Sequence, residues 1–274
     1  MAARVDIEKL ATILRDAARA EILPRFRRLE AGMVKTKSEA IDLVTEADTE
    51  AERVIKAAVE RLAPTALFVG EESVAADPSL LARLNDADLA VVVDPVDGTA
   101  NFAAGLPLFA VMAAVVAGGE TVGGIIYDPM GDDWVMAEQG GGAWQKRPDG
   151  GATRLAMAAP KPLAAMVGAA SVAFLPADTR PRILSNLARI RLFANYRCAG
   201  HEYRTLAAGH LDFLMYNKLM PWDHLAGTLI AMEAGGYAAR LDGSAYRPGH
   251  VDGGLLLAAD RESWDVLRRE VFSA

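Results

Sequence analysis

Leu89-Ala-Val-Val-Val-Asp94-Pro95-Val96-Asp97-Gly98-Thr99-Ala100-Asn101-Phe102 is the stretch that decides how this chain is read. Its apolar opening, Leu89 to Val93, predicts a buried strand. The run then breaks into two aspartates, a proline, a glycine and a threonine. Carboxylates just past a strand end sit where open α/β sheets bind ligands. Asp94 and Asp97, on either side of a turn-forming proline, can converge on one or two divalent cations. Gly98 and Thr99 would expose N–H groups suited to a phosphate. The stretch reads as a corner for metal and phosphate, although a type I turn closing a strand uses the same residue types.

Further acids extend the pattern. Gly70-Glu71-Glu72-Ser73 follows the apolar Ala66–Val69, so it too lies past a strand end. Asp42 and Asp48 flank the start of a helix, and Thr45-Glu-Ala-Asp48 has the form of a capping box. Trp222-Asp223 opens another helix, where a carboxylate both caps N–H groups and can reach outward to a cation. Singly, Asp48 and Asp223 read as helix caps and Glu71-Glu72 as a solvated pair. Together they place several acids at element ends, most of them with no Lys or Arg beside them.

These segments resemble the inositol monophosphatase family of magnesium-dependent, lithium-sensitive phosphatases. The likeness runs from about Val34 to Ala259. It is carried by Gly70-Glu71-Glu72-Ser73 with Asp94 to Phe102, and by Trp222-Asp223 through Ala226-Gly227 to Glu233-Ala-Gly-Gly236. Lys37…Asp42-Leu-Val-Thr45…Asp48 and Tyr127-Asp-Pro-Met130…Ala137-Glu138…Gly141-Gly-Ala143 fit the same pattern. The resemblance implies a layered α-β-α-β-α sandwich of the inositol monophosphatase and fructose-1,6-bisphosphatase type. It also implies two or three Mg²⁺ ions per subunit. Glu71, Asp94 and the carbonyl of Val96 would hold one; Asp94, Asp97 and Asp223 would hold a second; a weaker third would lie near Glu71. The implied catalytic set is Glu71, Asp48 and Thr99, with Asp48 and Thr99 orienting the attacking water and taking its proton. Backbone N–H groups of Asp97, Gly98 and Thr99 would hold the phosphate, and Lys37 would offset charge at the mouth of the site.

The substrate side departs from that pattern. In inositol-processing members a small-residue segment lines the sugar pocket. Counted back from Trp222-Asp223, it begins at Arg197 in Arg197-Cys198-Ala199-Gly200-His201-Glu202, or at Gly200 if a three-residue gap is allowed. A glutamate that contacts the inositol ring falls on Tyr216, which cannot accept the same hydroxyl hydrogen bonds. Arg197 and Tyr216 are therefore the candidate substrate contacts, and Arg197 or Arg204 is expected to select a substrate with extra negative charge. His224, beside Asp223, is expected on the helix surface or behind the ligands, because magnesium favours oxygen over imidazole. Cys198 reads as a small buried apolar residue.

The rest of the chain sets bounds. Its 274 residues carry 29 basic and 36 acidic side chains, a formal charge of −7. That balance argues against nucleic acid, which is bound by clustered Lys and Arg. A single cysteine excludes an internal disulfide framework and fits a reducing compartment. The N-terminus lacks the pattern of a signal peptide, and no run approaches the ~20 apolar residues of a membrane span. The expectation is a cytoplasmic protein with no membrane partner, and family resemblance adds a homodimer.

Apolar spacing predicts a helix over residues 5–30 with a kink at Pro24, and a second from Thr45 to Leu62. Strands are expected at Ala66–Val69, Leu89–Val93, Phe109–Val116, Thr121–Tyr127, Trp134–Glu138 and Ala143–Trp144, with a hairpin at Gly118-Gly119. Beyond a Gly- and Pro-rich boundary at Arg147–Pro162 come Met166–Val172, a helix Arg180–Ile190, Asp212–Tyr216, a helix Trp222–Ala234, the strand Leu255–Ala259 and a last helix from Arg261. These patterns predict a mixed α/β sandwich with more antiparallel pairing than a dinucleotide-binding fold. One domain over residues 1–274 is expected, with the metal site in a half of about 1–150. The substrate pocket and Asp223 would lie in a half of about 160–274. The activity expected is hydrolysis of a small phosphorylated polyol or sugar. Alternatives are histidinol phosphate, fructose bisphosphate or a nucleotide 3′-phosphate as substrate, and, from another class, a regulatory binding protein on the same fold.

Overall fold

The computed structural model describes residues 5–29, 34–36 and 43–273. Helix α1 (Ile7–Ala17) is capped by the Asp6 carboxylate, which accepts from the N–H groups of Glu8 and Lys9 at 3.1 Å. It does not run on to residue 30: a π turn (Ala18–Ile22) and a 3₁₀ turn (Leu23–Arg25) follow. Pro24, lacking an N–H, falls in the last of these and cannot extend an α ladder. Strands β1 (Val34–Thr36) and β2 (Leu43–Thr45) pair antiparallel and lead into α2 (Glu46–Leu62).

Next come β3 (Leu67–Gly70), the short helices α3 (Glu71–Ala76) and α4 (Ser79–Asp86), β4 (Leu89–Asp97) and α5 (Thr99–Ala103). Strands β5 (Ala110–Ala117), β6 (Glu120–Asp128), β7 (Asp133–Glu138), β8 (Ala143–Lys146) and β9 (Ala152–Arg154) complete a seven-stranded sheet in simple order from β3 to β9. Only β3–β4 is parallel. The β5–β6 turn uses Gly118 and Gly119 at φ +57 and +78, the backbone a tight hairpin demands. The stretch expected as a boundary contributes β9 to this sheet.

The second sheet contains β10 (Val167–Ala170), β11 (Leu192–Ala194), β12 (Phe213–Tyr216), β13 (Tyr237–Arg240) and β14 (Leu255–Ala258), in the order β11-β10-β12-β14-β13. Helices α6 (Arg180–Leu187), α7 (Ala199–Ala207), α8 (Pro221–Glu233) and α9 (Arg261–Glu270) complete the chain.

Alternation along the strands assigns the layers. Val91 and Val93 of β4 pack with Leu10, Leu14 and Ile55 of α1 and α2, whereas Ala90 and Val92 face the cluster containing Tyr203, Leu225 and Ile230 of α7 and α8. On β12, Leu214 joins that middle cluster, while Phe213 and Met215 turn to Ile183, Trp264 and Leu267 of α6 and α9. The fold is a five-layer α-β-α-β-α sandwich, the layering expected from the sequence. Among the described residues no helix is long and apolar enough to cross a membrane.

Candidate active site

The sequence placed Asp94 and Asp97 beyond a strand ending at Val93, but β4 continues to Asp97. Opposite it, Asp94 pairs with Met112 and Asp97 with Ala110, so three steps on β4 match two on β5. Side chains three apart on a regular strand face opposite sides. The one extra residue, a bulge at Pro95-Val96, returns Asp97 to the side of Asp94. Pro95 has no N–H to give the ladder, and the Val96 N–H donates instead to Asp94 Oδ1 at 3.0 Å.

Asp223 joins from the first turn of α8. One oxygen each of Asp94, Asp97 and Asp223 lies within 4.8 Å of the others. Asp94 is 2% exposed, and burial, then the charges of Glu71, Asp97 and Asp223, raises its pKa well above the carboxylate range. Three partly or fully buried carboxylates in such proximity form an all-oxygen set of the kind that suits a hard divalent cation.

Asp48 stands on the other side of Thr99. It is fully buried, and Thr45 N–H donates to its Oδ2 at 2.9 Å within the capping box that starts α2. The Thr99 hydroxyl has acceptors at 2.9 Å in both Asp48 Oδ1 and the Val96 carbonyl. Burial outweighs these hydrogen bonds and pushes the Asp48 pKa up to about 6. Asp48 thus caps a helix and also accepts from the threonine hydroxyl. Gly98 takes φ +88, and a Cβ there would lie 2.8 Å from the Leu108 carbonyl oxygen. The N–H groups of Gly98 and Thr99 precede the first helical bonds of α5, from Asn101 and Phe102 to Gly98 O.

Glu52, which the sequence reading missed, organises the Glu71 side. Its buried carboxylate accepts from the N–H groups of Glu72 and Ser73 at 2.7 Å and from the Ser73 hydroxyl at 2.6 Å. A Cβ on Gly70 would overlap that carboxylate, which explains the glycine. The available signal was spacing: Asp48 and Glu52 lie one turn apart on the otherwise apolar buried face of α2.

On the substrate side most polar groups are already engaged. Tyr216 is 5% exposed and donates its hydroxyl to Glu202 Oε2 at 2.7 Å, while Glu202 Oε1 accepts from the Tyr196 N–H. Arg204 is not available to an anion: its guanidinium is held by Asp133, with Asp128 at 3.9 Å. Arg197 is exposed, at φ +55, with its carbonyl oxygen 3.4 Å from where a Gly98 Cβ would stand. His224 is buried with Nδ1 3.2 Å from the Tyr203 hydroxyl and Nε2 3.0 Å from the Lys218 carbonyl. Burial pulls its pKa down to about 4, so it is a neutral strut behind Asp223. Cys198 is buried as expected, but its thiol contacts the Asp97 carboxylate instead of apolar neighbours alone. Lys37 and Asp42 lie outside the described residues.

The profile of the inositol monophosphatase family matches residues 6–271. This chain belongs to the inositol monophosphatase family. Members of the family are metal-dependent phosphatases that hydrolyse phosphomonoesters. The chain is 32% identical to an inositol-1-monophosphatase of Rhizobium meliloti (strain 1021) over 206 residues, 74% of this chain and 73% of that protein. It is also 32% identical to a Nus factor SuhB of Pasteurella multocida (strain Pm70) over 237 residues, covering 83% and 82%. Among solved structures, the extragenic suppressor protein suhB of Bartonella henselae matches with a TM-score of 0.79 at 28% identity, over 98% of this chain and 97% of that one.

Proposed function

We propose that the chain is a Mg²⁺-dependent phosphomonoester hydrolase acting on a small phosphorylated polyol or sugar. The observation that carries this reading is the convergence of Asp94, Asp97 and Asp223 beside a threonine hydroxyl bonded to the buried Asp48. Glu71, Asp94 and the Val96 carbonyl would hold one ion, Asp94, Asp97 and Asp223 a second, and a third would lie near Glu71. Bound there, the cations would supply Lewis acidity and lower the pKa of a water. Asp48, once charged, accepts the Thr99 proton, and the threonine lone pairs then orient the attacking water. Asp48 is also the acceptor for the proton that this water loses. The N–H groups of Asp97, Gly98 and Thr99 hold the phosphate oxygens. Arg197, exposed beside Gly98, meets a further anionic group of the substrate. Tyr216 shapes the pocket wall through Glu202.

The single buried Cys198 supports a reducing, cytoplasmic setting, and family resemblance supports a homodimer. The test is phosphate release from inositol, sugar, histidinol and nucleotide 3′-phosphates with and without Mg²⁺. Release is expected only with the cation, and fastest on a polyol or sugar phosphate; cation-independent release would sink the reading. A second reading, a regulatory protein acting through a partner, is favoured by the similarity to a Nus factor SuhB. Failure of every ester to release phosphate would decide for it.

A further inference from the structure

A carboxylate serves a cation well only when its neighbours fix which lone pairs face the ion. Asp97 is gripped from behind by the start of α7. Its Oδ2 accepts from the Gly200 N–H at 2.5 Å and lies 3.0 Å from Cys198 Sγ. Its Oδ1 accepts from the Ala199 N–H at 3.2 Å. With two lone pairs on each oxygen, Oδ2 is saturated and one lone pair of Oδ1 is left open. The sulfur acts as the donor, because the oxygens within its reach, Asp97 Oδ2 and the Asp97 carbonyl at 3.6 Å, are both acceptors.

The surrounding loop is built to keep that sulfur in place. Asn101 Nδ2 donates to the carbonyls of Leu108 at 2.9 Å and Tyr196 at 2.7 Å, and the Arg197 N–H donates to Asn195 Oδ1 at 2.7 Å. Arg197 takes the left-handed backbone at φ +55, which turns the chain into α7. Gly200 allows the close approach: a Cβ there would lie 3.0 Å from Asp97 Oδ2 and 2.8 Å from Ala110 Cβ.

We propose that Cys198 is a positioning residue for the cation site, its thiol occupying one lone pair of Asp97 Oδ2 so that Asp97 presents Oδ1 alone to the ion. This rests on Asp97 being a cation ligand, as proposed above. A thiol is a weak donor, so it orients the carboxylate while leaving its charge to the cation.

The test is calorimetric titration of Mn²⁺ into metal-free wild type, Cys198→Ser and Cys198→Val, with KM for a phosphomonoester measured at saturating cation. Valine fills the space without a donor, and its Mn²⁺ affinity is expected to fall ~10-fold or more, the usual cost of losing a partner behind a metal ligand. Serine restores a donor and should stay within ~3-fold of wild type, with KM unchanged in both. Should the valine variant not fold, Cys198→Ala takes its place with the same expected loss. Wild-type affinity without the thiol donor, or a serine variant as weak as the valine one, overturns the proposal. In that case wild type still binds Mn²⁺ and releases phosphate; a wild type that binds no cation overturns the phosphatase reading and this inference together.

Discussion

The end of β4 and the segment from Tyr196 to Tyr216 both border the acidic corner, yet their polar atoms are spent differently. From Asp94 to Thr99, carboxylates, a carbonyl and a hydroxyl are gathered on one side by a bulge. Across from them, Tyr216 is given to Glu202, Arg204 to Asp133, and Tyr203 to His224. Of the two arginines in that segment, Arg197 alone is exposed. The difference teaches that a bulge in β4 gathers the oxygens of the reacting corner on one side, whereas the side chains of the facing wall are paired with one another.

Substitutions can break or sharpen this contrast, and the largest effects belong to the corner. Asp94→Asn should lower cation-dependent kcat/KM by at least ~10²–10³-fold, as loss of one key electrostatic partner does. Because asparagine cannot ionise beside Glu71, Asp97 and Asp223, the gain in Tm of the metal-free variant over wild type should grow as pH rises and Asp94 is forced to ionise, ~2–4 °C per kcal/mol relieved. Asp48→Asn and Thr99→Ala should each cut kcat ~10²–10⁴-fold with little change in KM. Asp48 must be charged to accept a proton, so kcat should fall about tenfold per unit as pH drops below about 6. A steady-state pH profile checks this, and the acidic limb should vanish in Asp48→Asn.

The facing wall should respond in stability before activity. Arg204→Ala removes the cation from the buried Asp133, leaving it the Gln145 amide, and is expected to cost ~3–5 kcal/mol in denaturant melts while leaving KM unchanged. Arg197→Ala should leave Tm unchanged and raise KM about tenfold for substrates with a second anionic group, in a panel of mono- and bisphosphates. Equal KM changes across the panel would remove Arg197 from substrate choice.

What could be read from the sequence follows the same division. The hairpin at Gly118-Gly119 and the capping box at Thr45–Asp48 were legible because each signal is complete within a few residues. The acidic set was legible for the same reason, but the bulge that turns Asp97 toward Asp94 was not, since it exists only in the pairing with β5. Helix α7 went unseen because its N-cap, Cys198, makes no side-chain cap bond; the capping carboxylate is Asp97, about a hundred residues earlier. The engagement of Arg204 was equally hidden, its partner Asp133 lying on β7.

The most direct measurement of the central claim is a crystal structure of the protein soaked with Mg²⁺ and inorganic phosphate. The account requires cation density among Asp94, Asp97 and Asp223, with the phosphate against Gly98 and Thr99. Cation bound elsewhere, or phosphate seated away from Thr99, would contradict it.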